Sequence, residues 1–127
     1  MRWLKKPVKI TVVIYGGERI GDLANRECVP CKGGTPPLSE EESSSFLSQI
    51  DESWEVIENH HLTRVWEFSD FVSALEFTNV LGDICEEQGH HADFQVGWGK
   101  VSVEIYTHKI DALTESDFVL AAKFDEA

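Results

Sequence analysis

Cysteine, basic charge and long apolar runs are all scarce in this 127-residue chain. Only Cys28, Cys31 and Cys85 are present, an odd number with one close pair, which does not look like a secreted disulfide framework. Lysine and arginine total 11 against 23 aspartates and glutamates, for a formal net charge of -12. That balance argues against a nucleic-acid backbone or an anionic membrane as the main partner. No stretch approaches the ~20 apolar residues that span a bilayer. Residues 10–15 are apolar but too short a run for a signal-peptide core, and no small-residue cleavage site follows them. The expected setting is a reducing cytoplasm. With 42% hydrophobic and 27% charged residues, the composition suits one globular domain large enough to build its own core.

The charge is uneven: residues 1–32 hold seven basic and three acidic side chains, so the remainder carries -16. Residues 8–15 are rich in β-branched side chains and end at Gly16-Gly17, which reads as a strand-like N-terminal extension. The proline and glycine density of residues 22–38 then argues against regular structure and marks a connector. Its Cys28-Val29-Pro30-Cys31 segment lacks the second ligand pair that a zinc site needs and the βαβ context of a redox pair. The division expected is an extension and connector over 1–37 and a folded domain over 38–127.

Within that domain Ser39 and Glu42 form a capping box that opens a helix to about Ile50. Residues 54–58 and 62–68 read as paired strands, joined by a turn at Asn59-His60-His61. In a turn of an acidic protein, His60 and His61 are expected to be solvated and apart from any site. A long helix follows, with Phe71, Leu75, Thr78, Leu81 and Cys85 at three- and four-residue spacing. Ser69 or Asp70 caps its start and Gly89 ends it. Residues 93–96 and 100–107 form a second hairpin around Gly97-Trp98-Gly99, and Thr114 and Asp117 open a last helix. The order α-β-β-α-β-β-α predicts an α+β fold, a four-stranded antiparallel sheet with three helices packed on one face.

Three of the five histidines concentrate in the second half of this pattern. His90 and His91 fall where the long helix gives way to a strand, and His108 falls at the far end of the partner strand. A hairpin would return His108 to the pair, assembling three imidazoles with unperturbed pKa values near ~6.5. Such a group suits acid/base chemistry.

The spacing His90-His91, Trp98, His108, Asp117 resembles that of the pterin-4a-carbinolamine dehydratases. Trp54, residues 68–71, Glu86 four residues before His90, and Leu113-Thr114 before Asp117 extend the resemblance over about residues 38–127. It implies an enzyme that dehydrates 4a-hydroxytetrahydropterins to quinonoid dihydropterins, recycling the pterin after aromatic amino-acid hydroxylation. It implies no metal and no organic cofactor, the pterin being the substrate, and a homodimer or homotetramer. By resemblance, His90 and His108 are the acid/base pair and His91 binds and orients the pterin. Glu86 holds an imidazole or contacts the ring, Asp117 supports His108 or Thr107, and Trp98 is either a pocket wall or a core aromatic. Two departures stand out: Ala92 where the family has proline, and Asp111-Ala112 where it has two glycines. The rival readings are a three-histidine zinc site, three structural histidines, and a non-catalytic dimerisation or assembly module of the same fold. Retention of all three histidines favours the enzyme over the module.

Overall fold

Capping chemistry sets where the helices begin. The Ser39 hydroxyl accepts from the Glu42 N–H at 3.1 Å while the Glu42 carboxylate accepts from the Ser39 N–H at 2.9 Å, and helix α1 runs Glu40–Leu47. The Asp70 carboxylate accepts from the Ser73 N–H at 2.8 Å to open α2, Phe71–Gln88, and Gly89 ends it in the left-handed conformation at φ 65°. Thr114 precedes α3, Glu115–Asp125. A computed structural model describes residues 22–30 and 33–127. The strand expected over 8–15, and Cys31, lie outside the described residues.

Among the described residues four strands, β1 (Glu55–Ile57), β2 (His61–Glu67), β3 (Asp93–Gly97) and β4 (Lys100–Ile105), pair antiparallel in the order β1-β2-β4-β3. The three helices pack on one face, so the expected α+β architecture is observed. Alternation along the strands divides the side chains. Leu62, Val101, Val103 and Ile105 are buried beneath the helices, whereas Val65 and Glu104 are exposed on the other face. Arg64 is the charged exception on the covered face. Its guanidinium meets Asp125 Oδ1 at 2.6 Å and lies 4.4 Å over the Trp66 ring, and the Trp54 indole N–H donates to the same carboxylate oxygen at 2.7 Å. Gly99 sits at φ 70°, where a β-carbon would lie 2.8 Å from the Phe68 carbonyl oxygen. Its own carbonyl accepts from the Phe68 N–H at 2.8 Å, so only glycine lets the hairpin turn approach the end of β2 this closely.

Helix α3 is enclosed on nearly every side: Phe118, Val119, Leu120, Ala121 and Phe124 are all buried. Part of its cover comes from the connector. The expectation of no regular structure over 22–38 fails at Asp22–Asn25, a 3₁₀ turn that buries Leu23 completely. Lys123 Nζ donates to the Ala24 carbonyl at 2.8 Å, and the Val29 N–H donates to Ser116 Oγ at 2.8 Å. A lone leucine among polar residues carries no periodicity, but its burial against α3 outweighs local turn propensity. Among the described residues no helix is long and apolar enough to cross a membrane.

Candidate active site

The left-handed turn at Gly89 stops α2 and lets the His90 N–H reach the Cys85 carbonyl at 3.3 Å. Beyond it the two histidines point different ways. The His90 ring turns inward, where its Nε2 lies 2.6 Å from Asp117 Oδ1. His91 turns outward, and its Nε2 lies 2.6 Å from Glu86 Oε2 on the last turn of α2.

Asp117 is fully buried at the third position of α3. Its second oxygen accepts from the Thr114 N–H at 2.8 Å and from the Thr107 hydroxyl at 2.8 Å. Thr107 has one hydroxyl proton, which that bond uses, so across the 3.0 Å contact between the two threonine hydroxyls Thr114 donates and Thr107 accepts. With an ionised carboxylate, Nε2 of His90 carries the proton of that bond.

His108 follows Thr107 directly. Its Nε2 lies 3.2 Å from Asp93 Oδ2, the first residue of β3, and its ring centroid lies 4.2 Å from that of Tyr106. His90, His91 and His108 therefore lie toward one end of the sheet, each against its own carboxylate. The His90 side chain is 14% exposed, while those of His91 and His108 are 55% and 52% exposed. On the uncovered face a hollow of about 370 Å³ runs alongside Asp93, lined also by Thr63, Gln95, Ser102 and Glu104.

The sequence profile of the Pterin 4 alpha carbinolamine dehydratase family matches residues 36–127. The chain belongs to this family. A relative from Alkaliphilus metalliredigens is 50% identical over 107 residues, covering 84% of this chain and 96% of that protein. One from Rubrobacter xylanophilus is 52% identical over 106 residues, covering 84% and 98%. Both are named as pterin-4-alpha-carbinolamine dehydratases. Among solved structures, a transcriptional coactivator/pterin dehydratase from Brucella melitensis superposes with a TM-score of 0.66 at 27% identity, covering 72% of this chain and 97% of that one. A pterin dehydratase-like protein identified as a RuBisCO assembly factor matches at 21% identity and a TM-score of 0.50, covering 58% and 87%, which shows the fold alone.

Within this dehydratase-family chain the predicted site residues separate into those the fold gathers and one it does not. His90, Thr107 and Asp117 share one buried hydrogen-bonded group, and Glu86 holds His91. Asp117 holds Thr107, as one expected alternative had it, but its imidazole partner is His90; the partner of His108 is Asp93. Trp98 is 75% exposed at the hairpin turn, neither core aromatic nor neighbour of the imidazoles. The register explains why. Gly97 pairs with Lys100 at the turn, and Asp93 pairs with Glu104 four residues away, a separation of about 13 Å along the strand.

The turn pair requires a correction. His60 and His61 are half-buried rather than simply solvated. His60 Nε2 lies 2.8 Å from Asp111 Oδ1, its Nδ1 lies 3.0 Å from His61 Nδ1, and its ring centroid is 4.6 Å from Tyr106. His61 Nε2 lies 3.4 Å from Glu104. Asp93, Tyr106 and Asp111 are thus site neighbours that the sequence reading missed. The hairpin register, which sets Asp93 opposite Glu104, was the signal available for the first. Partial desolvation, then the carboxylates of Asp93, Asp111 and Glu104, push the Tyr106 phenol above its ordinary value, so it stays a neutral donor. Cys28 lies elsewhere, its thiol against the Ser116 carbonyl, and burial pushes it up to about 11, leaving a weak nucleophile.

The buried and exposed carboxylates should differ sharply on substitution. Asp117→Ala orphans three donors at once and should cost about 3 kcal/mol or more of stability in urea unfolding. Glu86→Ala, at an exposed pair, should cost no more than about 1 kcal/mol. Equal effects would contradict the division into an inner and an outer pair.

Proposed function

We propose that the protein dehydrates 4a-hydroxytetrahydropterins to quinonoid dihydropterins by imidazole acid/base catalysis. The observation that carries the proposal is the group of three imidazoles, each against its own carboxylate, in a chain of this family. Loss of water from C4a needs a proton delivered to the departing hydroxyl and a proton taken from a ring nitrogen. Imidazole does both near neutral pH without large changes in driving force. His90 and His108 are the two proton carriers in this reading. Each uses Nε2 toward a carboxylate, which favours one tautomer, steadies the imidazolium formed in passing and leaves Nδ1 for the pterin. His91, more exposed and held by Glu86, binds and orients the ring. The substrate would come from pterin-dependent hydroxylation of aromatic amino acids.

The test is formation of the quinonoid dihydropterin from a 4a-hydroxypterin, followed by absorbance. His90→Ala and His108→Ala should each lower kcat by roughly 10²–10⁴. Their combined loss should fall well short of additive, because the two act as a unit. His91→Ala should raise KM more than it lowers kcat. Full activity in the His90→Ala/His108→Ala protein would contradict the mechanism. Absence of activity in the wild type would favour a non-catalytic module of the same fold.

The same reading includes a homo-oligomer. Among the described residues strands β1 and β3 end the sheet with unpaired outer edges, the feature through which chains add to one another. Light scattering should report at least a dimer at tens of micromolar, and an active monomer would refute this.

A further inference from the structure

His60 and His61 lie outside the chemistry proposed above, yet His60 touches both Asp111 and Tyr106, the neighbours of its most loosely held member, His108. His108 is half-exposed, and the carboxylate it meets at 3.2 Å is itself 59% exposed. One solvent-screened contact does not fix an imidazole. What else restrains it comes from two directions.

The first is its loop. Thr107 and Ala112 close residues 107–112 through reciprocal backbone bonds of 2.9 and 3.3 Å, and the Asp111 N–H donates to the His108 carbonyl at 3.2 Å. Asp111 holds φ 53°, a left-handed conformation that aspartate tolerates better than most residues with a β-carbon. Its carboxylate meets His60 Nε2 at 2.8 Å, and because that carboxylate is 80% exposed the contact adds to the backbone closure of the loop rather than fixing it alone. The second is its ring. Tyr106 has His108 at 4.2 Å and His60 at 4.6 Å, tilted by 44° and 40°. Both restraints lead back to His60.

His60 is itself well anchored. Glu58 and Asn59 adopt φ 52° and 51° and the His60 N–H donates to the Ile57 carbonyl at 2.8 Å, a tight three-residue turn that delivers the imidazole to this end of the sheet. With its Nε2–H given to Asp111, a neutral His60 keeps an Nδ1 lone pair for the Nδ1–H of His61 at 3.0 Å. Glu104 lies 3.4 Å from His61 Nε2, a contact that holds the second ring only when both of its nitrogens carry protons.

We propose that His60 is a positioning residue for His108, holding the 107–112 loop through Asp111 and the His108 ring through Tyr106. Its consequence for turnover rests on the dehydratase reading; the conformational coupling does not.

The test pairs a spectroscopic readout with kinetics, using histidine-labelled protein in which each imidazole gives a separate NMR signal. In His60→Ala the His108 ring signal and the amides of residues 108–112 should shift and broaden, while His90 and His91 keep their positions. In the dehydration assay kcat should fall roughly tenfold with KM within about twofold, the signature of a misplaced rather than missing group. His60→Gln retains an N–H donor for Asp111 without the aromatic face, and should recover the loop amides but only part of kcat. Tyr106→Leu, with His60 in place, should move the His108 signal and leave the loop amides near their wild-type positions. An unshifted His108 signal in His60→Ala would overturn the proposal, and so would one in His60→Gln should the alanine variant fail to fold. A shifted His108 signal in a protein whose wild type has no dehydratase activity would overturn the functional reading and leave the coupling standing.

Discussion

Most of the site depends on one buried carboxylate accepting three hydrogen bonds. Asp117 belongs to α3, the most enclosed of the described helices, and from there it reaches the start of its own helix, the residue before His108 and the ring of His90. A carboxylate so enclosed is tolerable because both of its oxygens accept from donors. The arrangement ties the start of α3 to the residue before His108, ten positions earlier, and to the turn after α2, 27 positions earlier. Thr114 is held by its backbone, Thr107 by its hydroxyl, and the turn after α2 by an imidazole. The inner half of the site is thereby tied to the hydrophobic core, and a change there is felt as lost stability before it is felt as altered chemistry.

The outer half follows different physics. His91 and His108 meet carboxylates in largely solvated contacts, where water screens the charge and side-chain freedom competes with each bond. Such groups need positioning from elsewhere, and aromatic contact with backbone closure supplies it. The rings of His60, Tyr106 and His108 follow one another across the end of the sheet, and the loop beneath them is closed by the Thr107–Ala112 bridge. A site with one rigid imidazole and two softer ones suits a reaction in which protons leave and return by different atoms of a flat substrate.

The fold was largely legible because its signals are local. Ser39 with Glu42, Asp70, Gly89 and the apolar spacing from Phe71 to Cys85 each act within a few residues, and strand alternation set the faces of both hairpins. The site was legible as a set of histidines, but its bonding was not. Asp117 reads locally as a helix-start residue, and nothing nearby in sequence says that its other oxygen takes His90, 27 positions away. His60 looked like a solvated turn residue because its partner Asp111 lies 51 residues downstream. Trp98 shares the spacing of the site and stands at the wrong end of the hairpin, a distinction that only the Asp93–Glu104 register makes. Leu23 gave no pattern, because one buried side chain has no period.

The most direct measurement locates the pterin. Chemical-shift mapping with a non-reactive dihydropterin should move the imidazole signals of His90, His91 and His108 and the amides of Asp93 and Thr107, with Trp98 unaffected. Shifts confined to the Trp98 turn, or to the connector around Cys28, would contradict the assignment of the chemistry to the three-imidazole end of the sheet.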